Sequence, residues 1–342
     1  YAFAAVAGPI LGGYLTFYLS WRAIFWLNLP LGLAALFAAR RVLPGRGEAR
    51  REHRIDYLGA TLLAAGLSAL MIALTRLGQG HGLAEPSTLM LFGGSAGLLA
   101  LTALQERRAA EPLLPPALLR NRTVVLCCVI LALQFFVLIG CTVMMPMAMQ
   151  GLAGAGPDDV ALRMIPLTLG IPCGAFTGGR WLYATASIRP PVVASGLLAA
   201  AGVSAFALDP TLGGAGQFLG LLVLGVGLGL SMAPALVAAQ TAVAPNQVGV
   251  VTATVALCRT LGGAVGIAVL SSIVFALVSA SSDSGAGSSL SAVLAEATAG
   301  GPASPGMVRG FRMAFAAAAA VSLVAAMLAT RLPAGLGKPR AQ

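Results

Sequence analysis

Residues 123–145 read TVVLCCVILALQFFVLIGCTVMM, 23 positions without a charge. About 20 mostly apolar residues carry an α-helix across the ~30 Å hydrocarbon core of a bilayer, and a soluble core helix rarely needs so long an uncharged run. The stretch alternates in neither polarity nor size, so it does not read as a strand of a membrane β-barrel.

Working outward, the same pattern recurs. Apolar runs occupy 1–19, 23–39, 57–75, 87–104, 160–178, 190–208, 216–239, 248–278 and 311–330, so that ten spans are expected in all. Pro30 is expected to open the second, and Pro166 and Pro172 to interrupt the sixth. Charged residues make up only 9% of the chain and the mean hydropathy is +0.89, against roughly 25% charged residues in soluble domains. The fold class expected is all-α integral membrane protein.

The net charge of +10 invites a nucleic-acid reading, but its distribution excludes one. The segments 40–56, 105–122, 179–189 and 331–342 hold 15 basic and 5 acidic residues, whereas the alternate segments hold 5 basic and 6 acidic. The basic excess falls in alternate loops, as the positive-inside rule requires of cytoplasmic loops. The basic loops and the C-terminal tail are therefore expected on the cytoplasmic side of a bacterial plasma membrane. Lipid is an expected partner and nucleic acid is not.

The five cysteines, Cys127, Cys128, Cys141, Cys173 and Cys258, all lie in apolar runs without a CxxC pair, and the two histidines, His53 and His81, lie in loops. No cofactor or metal is expected. General acid–base chemistry needs a positioned titratable group, and no span contains Asp, Glu or His. A membrane-embedded enzyme is therefore disfavoured; a non-transporting scaffold or sensor, or an inactive fragment, stays open as the alternative to a transporter.

Several residues stand out against this apolar background. Gly8, Pro9, Gly12 and Gly13 combine a helix bender with small residues on one face, although GxxxG spacing also occurs at Gly93/Gly97, Gly225/Gly229 and Gly262/Gly266 and by itself marks only close packing. Arg259 lies 11 residues after Val248, about 16 Å along a helix at ~1.5 Å per residue. Arg259 is a candidate cavity-lining cation that binds substrate or pairs with a carboxylate; the alternative is a structural arginine bonded to backbone carbonyls or snorkelling from a shallower register. Gln134, Phe135, Phe136, Met144, Met145 and Met147 populate one span. With Gln240 they are candidates for a plastic, mostly apolar cavity. Packed core or a lipid-facing surface accounts for the aromatics and methionines equally well.

Gly8-Pro9-x-x-Gly12-Gly13, followed by Ser20-Trp21-Arg22-x-Ile24-Phe25-x-x-Asn28-x-Pro30-x-Gly32, resembles the antiporter motif and following turn of the major facilitator superfamily, in its branch of 14-helix drug:proton antiporters. The likeness continues in Asp56-x-x-Gly59, Glu111-Pro112-Leu113, Pro146-x-x-x-Gln150-Gly151, Arg163-x-x-Pro166 and Arg259-x-Leu261-Gly262-Gly263-x-x-Gly266. Gly178-Gly179-Arg180-Trp181-Leu182-Tyr183 to Arg189-Pro190 is similar to a cytoplasmic-loop motif, but Tyr183 and Ala184 stand where relatives carry charges.

The resemblance implies a secondary transporter that exports small hydrophobic or amphiphilic compounds in exchange for protons. It implies four helices upstream of Tyr1, with any proton-exchanging carboxylate among them. The organisation expected is the last two helices of an N-terminal bundle (1–39), a cytoplasmic linker (40–56), an inserted two-helix hairpin (57–104), a second linker (105–122), a six-helix C-terminal bundle (123–331) and a tail (332–342). The long outer loop at 279–310 is expected to carry a short helix near 290–297.

Overall fold

The computed structural model describes residues 19–42, 56–78, 81–83, 85–106, 120–279 and 305–333, together with Leu15, Leu118 and Gly335. The described residues are helices and connecting turns, with no strand among them. Helix α1 (Trp21–Val42) belongs to one unit, residues 1–55; all other helices belong to a second, residues 56–342. The antiporter-motif residues Gly8, Pro9, Gly12 and Gly13 lie outside the described residues, as does the helix expected near 290–297.

In the first unit, α1 runs 22 residues with Arg40 and Arg41 in its last turn, where cations meet the negative end of the helix dipole. Pro30 sits inside this helix rather than opening it; neighbours of a membrane helix can re-satisfy the backbone groups that proline frees.

The second unit contains α2 (Tyr57–Gly78), α3 (Pro86–Glu106), α4 (Arg122–Ala153), α5 (Pro157–Arg163), α6 (Ile165–Thr185), α7 (Arg189–Leu208), α8 (Gly214–Leu230), α9 (Met232–Thr241), α10 (Val248–Ser279) and α11 (Pro305–Ala329). Eight helical stretches among the described residues are long and apolar enough to cross a membrane. The chain is a multi-pass helical membrane protein.

Local chemistry sets the helix ends. Asp56 accepts the amide of Gly59 at 2.9 Å and opens α2 as an N-cap. A Cβ at Gly59 would come within 3.0 Å of the Asp56 carboxyl carbon, so a larger residue there would have to push the capping carboxylate aside. Gln105 Nε2 reaches the same carboxylate at 3.4 Å, tying α3 to the start of α2. Asn121 caps α4 by accepting the amides of Thr123 and Val124, while its Nδ2 donates to the Ala242 carbonyl at 2.8 Å. Gly154, with φ 62°, closes α4 in the left-handed conformation that glycine adopts without penalty.

Helix α4 continues through Pro146 to residue 153, past the expected end at 145. The stretch 157–185 breaks at Met164, so Pro166 begins α6 and Pro172 sits within it uninterrupted. The span expected at 216–239 is two helices separated at Ser231, with Pro234 in the first turn of α9, where its missing amide is least costly.

Small residues hold the bundle together. A Cβ at Gly174 would lie 2.9 Å from the Val226 carbonyl carbon, and one at Gly225 would meet the α6 backbone at Gly170, so α6 and α8 touch backbone to backbone. Gly196 of α7 faces Ala326 of α11 in the same way. Helix α10 packs on α4, α11 and α2, and α2 pairs with α3. The core between these seams is apolar and includes Met144, Met145, Phe206, Phe311 and Phe315, with the Phe206 and Phe315 rings 6.0 Å apart.

Candidate functional site

Helices α4 and α10 run parallel. Gly262 lies on Ala132, and Gly266 on Phe136, so that a Cβ at Gly262 would fall 2.7 Å from both the carbonyl carbon and the Cα of Ala132. Only glycine allows this approach, and the approach is what brings the side chains flanking the seam into contact.

Arg259, three residues before Gly262, places its guanidinium carbon 4.0 Å from the centroid of the Phe135 ring. A guanidinium held against the negative face of an aromatic ring gains about 0.5–2 kcal/mol, the upper end when desolvated. Both side chains are half-buried. The electron-rich ring offsets part of the cost of a cation about 16 Å along a membrane helix. Arginine keeps its proton throughout the physiological range, so this pair is a fixed positive charge on an aromatic shelf.

The other candidates are dispersed. Gln134 is packed inside the bundle at 2% exposure; its Nε2 donates to Ser195 Oγ at 3.1 Å, and Ser195 in turn donates to the Gly227 carbonyl at 2.6 Å. Through Nε2 it ties α4 to α7 and α8, while its Oε1 is buried with no hydrogen-bond partner among the described residues. Met144, at 1% exposure, belongs to the apolar core. Gln240 donates to Thr252 Oγ1 at 2.9 Å and ties the end of α9 to the first turn of α10.

Phe136 lines a different feature, a cavity of about 450 Å³ between α4 and α10 bounded by Leu118, Val129, Leu133, Cys258 and Leu261 among others. Its lining was not anticipated, although Thr254, Cys258, Leu261 and Val265 recur at the 4-3-4 spacing of one helix face. Ser195 was also missed; a lone serine in an apolar run gives no sign of its partner.

At the C-terminal end of α6, Arg180 lies 5.8 Å from the Phe176 ring, and both line an open groove with the exposed Tyr183. Arg189 is committed elsewhere: Nε and Nη2 donate to the Leu332 carbonyl at 2.9 and 2.7 Å. Among the described residues no cluster of His, Cys, Asp and Glu could hold a metal.

A helical membrane bundle seamed by glycines, with a buried-side arginine beside Gly262 and Gly266, agrees with the sequence comparison, in which the family model described as Major Facilitator Superfamily matches residues 1–267. The chain belongs to the major facilitator superfamily. Within this superfamily it is 31% identical over 264 residues to an uncharacterized MFS-type transporter of Mycobacterium tuberculosis, covering 77% of this chain and 38% of that protein. It is 28% identical to the multidrug transporter protein MdtP of Bacillus subtilis, over 80% of this chain and 50% of the relative. It is 29% identical over 329 residues to the puromycin resistance protein of Streptomyces alboniger, over 95% of this chain and 63% of the relative. The chain thus spans between 38% and 63% of the length of these superfamily members.

Proposed function

We propose that the protein is a secondary transporter of the bacterial plasma membrane, that it exports apolar or amphiphilic small molecules in exchange for protons, and that its C-terminus is cytoplasmic. Family membership and relatives named for multidrug transport and antibiotic resistance support export. The asymmetric distribution of arginine between alternate loops supports the orientation.

The observation that carries the reading is the Arg259–Phe135 pair beside the α4–α10 seam. A fixed cation on an aromatic shelf within a membrane bundle suits electrostatic work on a substrate or on a partner carboxylate, and a purely structural bundle has little use for its cost. Arg259 cannot cycle a proton. Carboxylates in the described helices occur only near ends, at Glu106, Asp158 and Asp159, so the coupling proton would be exchanged by a group outside the middle of these helices.

The test is efflux of a lipophilic dye from proteoliposomes under an imposed pH gradient, with wild type beside Arg259→Ala and Arg259→Lys. Gradient-driven efflux that falls at least tenfold in Arg259→Ala is the expected outcome. Undiminished efflux in that variant would leave Arg259 with a structural role, and no gradient dependence in wild type would refute proton exchange.

A further inference from the structure

The cavity between α4 and α10 is separate from the Arg259–Phe135 pair, neither of which lines it. On α4 its wall runs from Val124 to Phe136, a rise of about 18 Å at 1.5 Å per residue, close to the ~15 Å of one leaflet's hydrocarbon. On α10 its wall is the stripe Thr254, Cys258, Leu261 and Val265. One further heptad along that stripe, Ser272 donates to the Leu77 carbonyl of α2 at 3.1 Å, so α2 occupies the outer continuation of the same face. The groove therefore lies along the half of α10 nearer its N-terminus.

The lining is apolar throughout apart from Thr254 and the two thiols, and Thr254 gives its hydroxyl to the Val250 carbonyl. A site for a compact drug would carry convergent polar groups to orient it; here charge occurs only at the mouth. Arg122 precedes Val125, Val129 and Leu133 by 3, 7 and 11 residues and so shares their face of α4. Arg120 lies between Leu118, which lines the cavity, and the start of the helix. Both arginines are exposed, and both belong to a loop whose basic character assigns it to the cytoplasmic surface, where the leaflet is anionic.

We propose that this groove binds one anionic phospholipid of the inner leaflet, with an acyl chain along Val124–Phe136 and the phosphate at Arg120 and Arg122. Cavities between membrane helices with basic residues at the cytoplasmic rim are a known type of lipid-headgroup site. The inference stands independently of the export reading.

The test is native mass spectrometry of the protein, purified in mild detergent and incubated with equal amounts of dioleoyl phosphatidylglycerol and dioleoyl phosphatidylcholine. Wild type should retain one phosphatidylglycerol per chain, preferred over phosphatidylcholine by about 30-fold for two arginines. Arg120→Gln with Arg122→Gln should bring that preference close to parity. Val129→Trp, which fills the groove from a position 40% exposed, should abolish retention of either lipid. Thermal melting of each variant checks that it is folded; the arginine pair, on the surface, keeps the test decisive if the tryptophan variant is not. Equal retention of both lipids by wild type would overturn the headgroup assignment. Undiminished retention in a folded Val129→Trp variant would overturn the site.

Discussion

Replacing Gly262 with alanine adds one methyl group where α10 lies directly on α4. The new Cβ would sit 2.7 Å from the carbonyl carbon and the Cα of Ala132, whereas carbon atoms settle about 3.5–4.0 Å apart. The helices must therefore separate by about 1 Å at this level, and a gap of 0.5–1 Å forfeits a quarter to a half of each contact's attraction. The seam extends to Gly266 on Phe136 and Gly140 on Leu270, so the loss is shared along several turns. Overpacking of this kind costs about 1–3 kcal/mol. The control is Gly97→Ala: Gly97 has the same GxxxG spacing with Gly93, but no described residue lies within 4 Å of a Cβ at either position. There alanine should be neutral or stabilising by up to about 1 kcal/mol through helix propensity. Thermal unfolding in detergent reads the difference, at about 2–4 °C per kcal/mol for domains of 150–250 residues. Gly262→Ala should melt roughly 2–12 °C below wild type, and Gly97→Ala should not fall. If the two variants melt together, the close approach of α4 and α10 is not real, and with it goes the contact between Arg259 and Phe135.

Asp56→Ala should cost about 1 kcal/mol as a lost N-cap, and Gly59→Ala a similar amount through its clash with that carboxylate; in a double-mutant cycle the pair should be markedly less than additive. Ser195→Ala should destabilise by about 1–3 kcal/mol because it strips the buried Gln134 amide of its acceptor, whereas Ser195→Ala with Gln134→Leu should recover much of that loss. Phe135→Leu removes the ring beneath Arg259 and should reproduce part of the Arg259→Ala export defect, while Phe135→Tyr should retain activity; dye efflux from vesicles measures both.

Much of this molecule is legible in one dimension. Length and uncharged character alone set 123–145, 190–208 and 248–278 as membrane helices, because a bilayer leaves backbone polar groups no partner except the helix itself. The proposed orientation rests on loop arginines alone, since topogenic charge acts locally along the chain. Asp56-x-x-Gly59 is local too, a cap whose partner lies three residues away. The family was readable from motif strings for the same reason.

Partner choice was not readable. Gly93/Gly97 and Gly262/Gly266 are the same pattern in sequence, yet among the described residues only the second is pressed against another backbone. Gln134 and Phe135 are neighbours in the chain, but 100° of helix rotation sends the amide inward to Ser195, 61 residues away, and the ring toward Arg259, on α10. In a membrane the hydrophobic pattern does not distinguish a lipid-facing side from a packed one, because lipid and core are equally apolar. Which face of each helix meets protein is therefore decided only by the three-dimensional fit of small residues against opposing backbone.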